Sequence, residues 1–308
     1  MVDITLLGTA AQIPLPDRAL ASAIIECCGH QILFDCGEGT QVQMRKYKIS
    51  PVKIDIIALS HYHGDHVFGL PGLLHTISNL GRTNPIYIIG PQGINEHLSP
   101  IIKLAGTLNY SLSLIDAQNC TFNLNQLISD FRMDATLKTF ETNHRVKSIG
   151  FCFELNRAGK FNVQTAQMLN IPKSLWNELQ NGNSILVDGK TIESSDIMGK
   201  ARKGIKIAYT GDTSPCELMT KTVFGADLLI SEATYGENAQ ADIALEHGHM
   251  TFNQAAALAK NANVSQLWLT HYSQMIENPE QYINNAKTEF INTICGYDGM
   301  HTTLKFED

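Results

Sequence analysis

The chain has 308 residues, 23 basic and 30 acidic side chains, a formal net charge of −7 and 44% apolar residues. That length can bury one large core or two smaller ones, and the acidic balance speaks against a general nucleic-acid binder, whose footprint is basic overall. No apolar run approaches the roughly 20 residues needed to span a bilayer. The opening Met1-Val2-Asp3-Ile4-Thr5 lacks the basic start and long apolar stretch of a signal peptide, so the expected location is the cytoplasm and no membrane is involved. Seven cysteines, odd in number and never spaced as C-x-x-C, argue against a disulfide framework or a thiolate zinc site.

In chain order, residues 2–8, 23–27 and 31–36 read as short strands, apolar, β-branched and punctuated by glycine. Between the first two lies a polar, Pro-bearing loop, residues 9–18, placed where layered α/β folds gather function. Phe34-Asp35-Cys36-Gly37-Glu38-Gly39-Thr40 runs a strand into a tight turn and a helix; Asp35 and Glu38 are assigned to turn and helix-start chemistry, with a place behind the metal ligands as the other reading of Asp35. The apolar run 54–59 is a buried strand, and Ser60-His61-Tyr62-His63-Gly64-Asp65-His66 follows at its end. Three imidazoles and a carboxylate crowded at a sheet edge are hard to explain without a metal, because uncompensated polar groups there are penalised. Residues two apart in an extended loop point the same way, so His61 and His63 can grip one ion. A helix starting near Gly64 puts Asp65 and His66 in its first turn, beside a second ion.

Residues 69–80 form a helix carrying His75, 85–89 a strand, and 91–104 a helix opened by Pro91 and carrying His97; both histidines are read as core or surface. The span 110–140 alternates in the β manner with interruptions and leads to His144, an isolated histidine at a strand-to-loop transition. After a strand at 148–155, residues 156 to about 204 turn polar and turn-rich, and are read as an insertion with minimal structure of its own. Strand, turn and helix then resume: a strand at 205–209 ends at Asp212, 228–230 leads to Glu232, and 264–269 ends at His271. Thr251 is positioned as the N-cap of a helix over 252–261. A helix over 279–293 and a strand over 301–306 close the chain. Asp212, Glu232 and His271 thus gather on one sheet edge.

A two-metal site needs about three protein ligands per ion and a bridge. The inventory supplies His61, His63 and His144 for one ion and Asp65, His66 and His271 for the other, with Asp212 bridging. Asp65 is placed to orient or deprotonate a metal-bound water acting as nucleophile. Glu232 and His249 remain as a pair suited to donating a proton to a leaving alkoxide; helix capping is the other reading of His249, and His247 is its nearest competitor for the role. The nitrogen-rich set favours two Zn²⁺ per subunit, with Mn²⁺ or Fe²⁺ as competitors.

The ordered set resembles the metallo-β-lactamase superfamily. It runs from His61-Tyr62-His63-Gly64-Asp65-His66 to Leu269-Thr270-His271 and includes the 34–41 turn, Gly211-Asp212-Thr213, Glu232-Ala233-Thr234 and His249-Met250-Thr251. Within the superfamily, Glu232-Ala233-Thr234, His249-x-Thr251 and the insertion after residue 155 resemble ribonuclease Z, which trims the 3′ end of precursor transfer RNA. The resemblance implies an α/β fold, an αββα sandwich of two mixed sheets flanked by helices, forming one domain over 1–308. It also implies zinc-dependent cleavage of the phosphodiester 3′ of the discriminator nucleotide in precursor tRNA, by a homodimer. Residues 156–200 would be an inserted arm for substrate binding and dimer contact, with Arg157, Lys160 and Lys173 touching phosphates. The arm reads Lys173-Ser174-Leu175 after Ile171-Pro172, where the family commonly carries Gly-Pro. The N-terminal loop reads Pro14-Leu15-Pro16-Asp17-Arg18-Ala19, where the family often has Pro-Thr-Lys before Arg-Asn. The alternative expectation is a hydrolase of the same fold acting on a small phosphodiester, cyclic nucleotide or ester.

Overall fold

Apolar, β-branched runs broken by glycine and polar turns become sixteen strands in the described residues, 1–307, of the computed structural model. Asp308, the last residue of the expected domain, lies outside them. The strands are β1 (Val2–Gly8), β2 (Ser22–Cys27), β3 (His30–Phe34), β4 (Ile54–Ala58), β5 (Ile86–Gly90), β6 (Leu112–Asp116), β7 (Thr121–Asn123) and β8 (Ala135–Glu141). They continue with β9 (Ile149–Arg157), β10 (Ile185–Val187), β11 (Lys190–Ile192), β12 (Arg202–Tyr209), β13 (Leu228–Glu232), β14 (Leu267–Thr270), β15 (Thr293–Cys295) and β16 (His301–Leu304). Two seven-stranded sheets result, ordered β16-β1-β2-β3-β4-β5-β6 and β15-β14-β13-β12-β9-β8-β7. Both are mixed: β3 to β6 run parallel beside the antiparallel β16-β1-β2-β3 edge, and β12 to β15 run parallel while β7 and β8 are antiparallel.

The inner parallel strands are buried on both faces, which is why they read as largely apolar runs; every residue of β4 and of β13 is buried. β1 carries its polar residues on one face. Ile4 and Leu6 face one way, whereas Asp3 and Thr5 face the other with Ile24 and Gln31. The sheets meet through aromatic rings, Phe34 stacking on Tyr209 at 5.2 Å and touching Phe151 at 5.7 Å. Helices cover the opposite faces. Leu70, Leu73, Leu74 and Ile77 pack on the first sheet, and Phe252, Ala255, Ala256 and Ala259 on the second. Each such Leu, Ile or Phe side chain contributes roughly 1.5–3 kcal/mol by leaving water. Among the described residues no helix is long and apolar enough to cross a membrane.

The chain folds into two compact units, Met1–Glu154 with Ile205–Lys305, and Leu155–Gly204 with Phe306 and Glu307. Residues 156–200 fall in the second. It has a small core of its own, Ala166, Ile171, Leu179, Ile185, Ile192 and Ile197, flanked by the Phe161 and Trp176 rings. β10 and β11 form a hairpin turned by Asp188 and Gly189, both at positive φ, the Asp-Gly geometry whose twist suits paired strands.

Two elements differ from expectation. The helix expected from Pro91 starts at Ile94 behind Gly93 at φ +100, leaving Pro91 outside, where its carbonyl accepts the Tyr62 hydroxyl. The helix expected over 279–293 is a 3₁₀ turn, Pro279–Tyr282, and a short helix, Ile283–Lys287; Thr293–Cys295 then extends to satisfy the open edge of β14.

Candidate metal centre

The loops leaving the parallel strands carry the polar residues. After β4 the chain runs through Ser60 and His61, both fully buried, into the single-turn helix Gly64–Val67, whose N-cap position is His63. Asp65 sits in that first turn, where a carboxylate meets the unpaired N–H groups of a helix start. His144 comes from the β8–β9 loop, Asp212 follows β12 through Gly211 at φ +60, and His271 follows β14 at φ +59. These turns reverse the side chains toward one place.

His61 Nε2 lies 2.9 Å from His63 Nδ1, and His144 Nε2 3.4 Å from the same atom. His66 Nε2 and His271 Nε2 stand 3.4 Å and 3.2 Å from the Asp212 carboxylate, and 3.5 Å and 3.7 Å from Asp65 Oδ2. His61 Nε2 is 3.7 Å from Asp212 Oδ2. Three groups, His61 with His63 and His144, His61 with His66 and Asp212, and Asp65 with His66 and His271, each have donor atoms within 4.8 Å of one another. All seven residues expected as ligands are therefore brought together.

The far side of each ring decides which nitrogen is free. Ser60 gives its one hydroxyl proton to Asp35 Oδ2 at 2.8 Å, so it can only accept from His61 Nδ1–H at 3.0 Å. Thr234 gives its proton to Glu232 Oε2 at 2.8 Å and so accepts from His271 Nδ1–H at 3.0 Å. His144 Nδ1–H donates to the Gly248 carbonyl at 2.8 Å, and His66 Nδ1–H to Asp35 Oδ2 at 2.9 Å. In each of these four rings Nε2 is the nitrogen turned into the cluster. His66 Nε2, His271 Nε2 and Asp212 Oδ1 are buried and have no hydrogen-bond partner, a state that is penalised by about 1–3 kcal/mol per group. Orphaned lone pairs from imidazole and carboxylate fit a zinc-like first-row cation.

Electrostatics agree at three of the rings; at His66 burial opposes charge, but Asp212 and Asp35 prevail and hold its pKa well above the ordinary value, so a cation taking its Nε2 displaces a proton. Burial, with neighbouring imidazoles, pushes His61 below its ordinary pKa, and burial does the same to His63 and His144, so their lone pairs are free. Burial works against charge on Asp65 and Asp212, yet His271 and His66 outweigh it and hold both well below the usual carboxylate range.

Glu232, the last residue of β13, accepts from Thr213 N at 2.9 Å, Thr234 N at 3.1 Å and Met250 N at 3.2 Å, and pairs with His249 Nδ1 at 2.9 Å. Burial opposes charge on His249, but Glu232 prevails and lifts it to about 9. His249 is thus paired rather than capping a helix; Thr251 caps the helix Phe252–Asn261 through a capping box with Gln254. His247 is turned to the Tyr235 hydroxyl at 2.6 Å.

Asp35 is more than turn chemistry. Fully buried at φ +55, it accepts from Ser60 N at 2.7 Å, Ser60 Oγ, His66 and Tyr209 Oη at 2.8 Å. Asp35, Ser60 and Thr234 orient the rings, and their signal in the sequence is slight: a buried-looking Asp after a strand and a hydroxyl beside each motif. The N-terminal loop also reaches the centre, Gln12 N donating to Asp65 Oδ2 at 2.8 Å.

Arg157, Lys160 and Lys173 belong to the second unit. The Arg157 guanidinium donates to the Glu307 carbonyl and lies 4.9 Å over the Phe306 ring. Lys160 is exposed, and Lys173 Nζ stands 5.9 Å from the Trp176 ring. His75 and His97 are exposed, His97 stacking on Tyr62.

Residues 2–297 match the family model described as Anti-Pycsar protein Apyc1. A ribonuclease Z of Clostridium beijerinckii is 42% identical over 309 residues, and one of Clostridium tetani 41% over 312, each match covering all of both chains. The structure of human tRNase Z, short form, superposes with a TM-score of 0.67 at 29% identity, over 99% of this chain and 100% of that one. The metallo-β-lactamase fold protein YhfI from Bacillus subtilis, 20% identical, shares the fold with a TM-score of 0.68 over 98% of each chain.

Proposed function

The chain belongs to the ribonuclease Z family, and to the family that the Apyc1 model describes, and from that premise we propose that it is a metal-dependent endoribonuclease that cleaves precursor tRNA 3′ of the discriminator nucleotide. The observation that carries this reading is the convergence of the Nε2 atoms of His61, His66, His144 and His271 on the Asp65 and Asp212 carboxylates, beside the His249–Glu232 pair. His61, His63 and His144 would hold one cation and Asp65, His66 and His271 a second, with Asp212 between them. When bound, two such ions, Zn²⁺ before Mn²⁺ or Fe²⁺, lower the pKa of water and neutralise charge on the phosphate.

The protein's own groups do the rest. Asp65, held by Gln12 N, orients the attacking water or takes its proton. His249 delivers its proton to the departing ribose 3′ oxygen as the phosphorus–oxygen bond breaks, leaving a 3′ hydroxyl on the tRNA and a 5′ phosphate on the trailer. Glu232 keeps His249 charged for that task. In this reading the enzyme works in the cytoplasm as a homodimer. Residues 156–200 form its substrate arm, and Arg157, Lys160 and Lys173 touch phosphates.

The same donor set also fits a second reading, hydrolysis of a small phosphodiester, cyclic nucleotide or ester. One experiment separates the two: zinc-loaded protein and its Asp65→Ala variant, each assayed on a precursor tRNA and on bis(p-nitrophenyl) phosphate. A single cut at the discriminator, lost in the variant, supports the endonuclease. Turnover of the small diester alone overturns the tRNA assignment and leaves the hydrolase.

A further inference from the structure

A cavity of about 310 Å³ lies beside the metal centre, within the size range of small-ligand sites. Loops from both sheets form it: Gln92 and Gln118 follow β5 and β6 of the first, whereas Glu141 ends β8 and Lys147 precedes β9 in the second. Its floor is buried and apolar, made by Pro91, Ala117 and Ile149. The rim is exposed and polar, and it pairs across the two sheets. Lys147 Nζ donates to Gln92 Oε1 at 2.7 Å, and Gln118 Nε2 donates to Glu141 Oε1.

His144 joins this cavity to the centre. Among the described residues that line it, His144 is the one expected metal ligand, and His249 is absent. The His144 ring stands 5.0 Å from the His249 ring and 5.2 Å from the His63 ring, so His144 lies between the proton donor and the cavity. In the proposed reaction His249 meets the departing ribose 3′ oxygen, which belongs to the nucleotide on the 5′ side. The phosphate stays with the 3′ side, as the 5′ phosphate of the next nucleotide. A strand with that oxygen at His249 and its phosphate at the metals passes His144 with its 3′ side, and brings the next nucleotide to the cavity.

We propose that this cavity receives the nucleoside on the 3′ side of the scissile phosphate, its base over Ala117 and Ile149 and its base edge at the Gln92–Lys147 and Gln118–Glu141 pairs. Unstacked bases are held in this way, by side chains against their faces and by hydrogen bonds along their edges. Amide, carboxylate and ammonium together offer donors and acceptors, so the site accepts more than one base. The assignment rests on the reading of His249 as proton donor to the 3′ oxygen. Its simplest ligand is a nucleoside 5′-monophosphate, the end group that such a cut leaves.

The test titrates the full zinc-loaded protein with 5′-UMP, 3′-UMP and ribose 5-phosphate, by calorimetry and by NMR of labelled isoleucine methyl groups. 5′-UMP binds about tenfold or more tightly than ribose 5-phosphate, as the burial of one base predicts, and more tightly than 3′-UMP. It shifts the Ile149 methyls, and ribose 5-phosphate does not. Gln92→Ala and Lys147→Ala, both at exposed positions, each weaken 5′-UMP about two- to tenfold more than they weaken ribose 5-phosphate. Equal affinity for 5′-UMP and ribose 5-phosphate, a preference for 3′-UMP, an Ile149 methyl that ignores 5′-UMP, or an equal loss for both ligands in the variants overturns the proposal. Precursor tRNA left uncut while 5′-UMP keeps its base-dependent gain overturns the endonuclease reading alone, and supports this subsite in a hydrolase of small phosphodiesters.

Discussion

His249 and Asp35 show how much one side chain does here through its neighbour. His249→Ala removes the proton donor without touching the expected ligand set, so kcat on precursor tRNA falls about 10²–10⁴-fold while metal content by mass spectrometry is unchanged. The pH dependence carries a sign. A proton donor must be charged, so activity falls as pH rises past the His249 pKa. Burial opposes that charge and Glu232 restores it, so Glu232→Gln moves the alkaline limb of kcat to lower pH. A limb that stays in place would separate His249 from the step. Asp35→Asn keeps a residue tolerant of φ +55 but removes the charge behind His66, and metal affinity by chelator competition drops about 10–100-fold. The gathering of the seven expected ligands was legible because they crowd one motif or follow strands. Ser60 and Thr234 were not legible, and Asp35 only as the second reading of a turn residue, since Asp, Ser and Thr occupy turns so often that only the folded contacts reveal which rings they hold.

At the scale of elements, the parallel strands were readable because burial on both faces demands continuous apolar runs, and β4 and β13 have them. The helix Phe252–Asn261 was readable from Thr251. Helix starts set by glycine were not: Pro91 signals a helix that Gly93 begins three residues later, and β15 is specified by the open edge of β14 rather than by its own three residues. Likewise Asp188-Gly189 marks a hairpin that the polar composition around it conceals. Gly248 links an element boundary to the chemistry. It ends the helix Ala241–His247 at φ +73, and a Cβ there would stand 2.8 Å from His144 Nδ1. Gly248→Ala therefore both strains the backbone and displaces His144, and shows lowered metal occupancy together with a lower melting temperature. A stability loss with full occupancy would mean that His144 is held some other way.

For the whole molecule, the acidic net charge and an RNA substrate are reconciled if affinity is local. Cleavage of precursor tRNA then weakens steeply with salt, hydrolysis of bis(p-nitrophenyl) phosphate barely changes, and Lys160→Ala with Lys173→Ala flattens the slope for RNA alone. A salt response equal for both substrates would remove the arm from RNA binding.

His61, His63, Asp65 and His66 leave the first sheet, whereas His144, Asp212 and His271 leave the second, and Asp35 at the end of β3 takes the Tyr209 hydroxyl from the end of β12. Neither sheet owns a complete set. An ion seated there clasps two layers that are otherwise joined by apolar contact and scattered hydrogen bonds such as Asp35–Tyr209, so it acts as a seal on the docked sandwich and binds nothing comparable in the unfolded chain. A cation at about a hundred times its Kd adds about 2.7 kcal/mol to the folded state. Chelation should accordingly loosen the seam between the layers first, with amide exchange rising at β3 and β12 before it rises in the helices outside them.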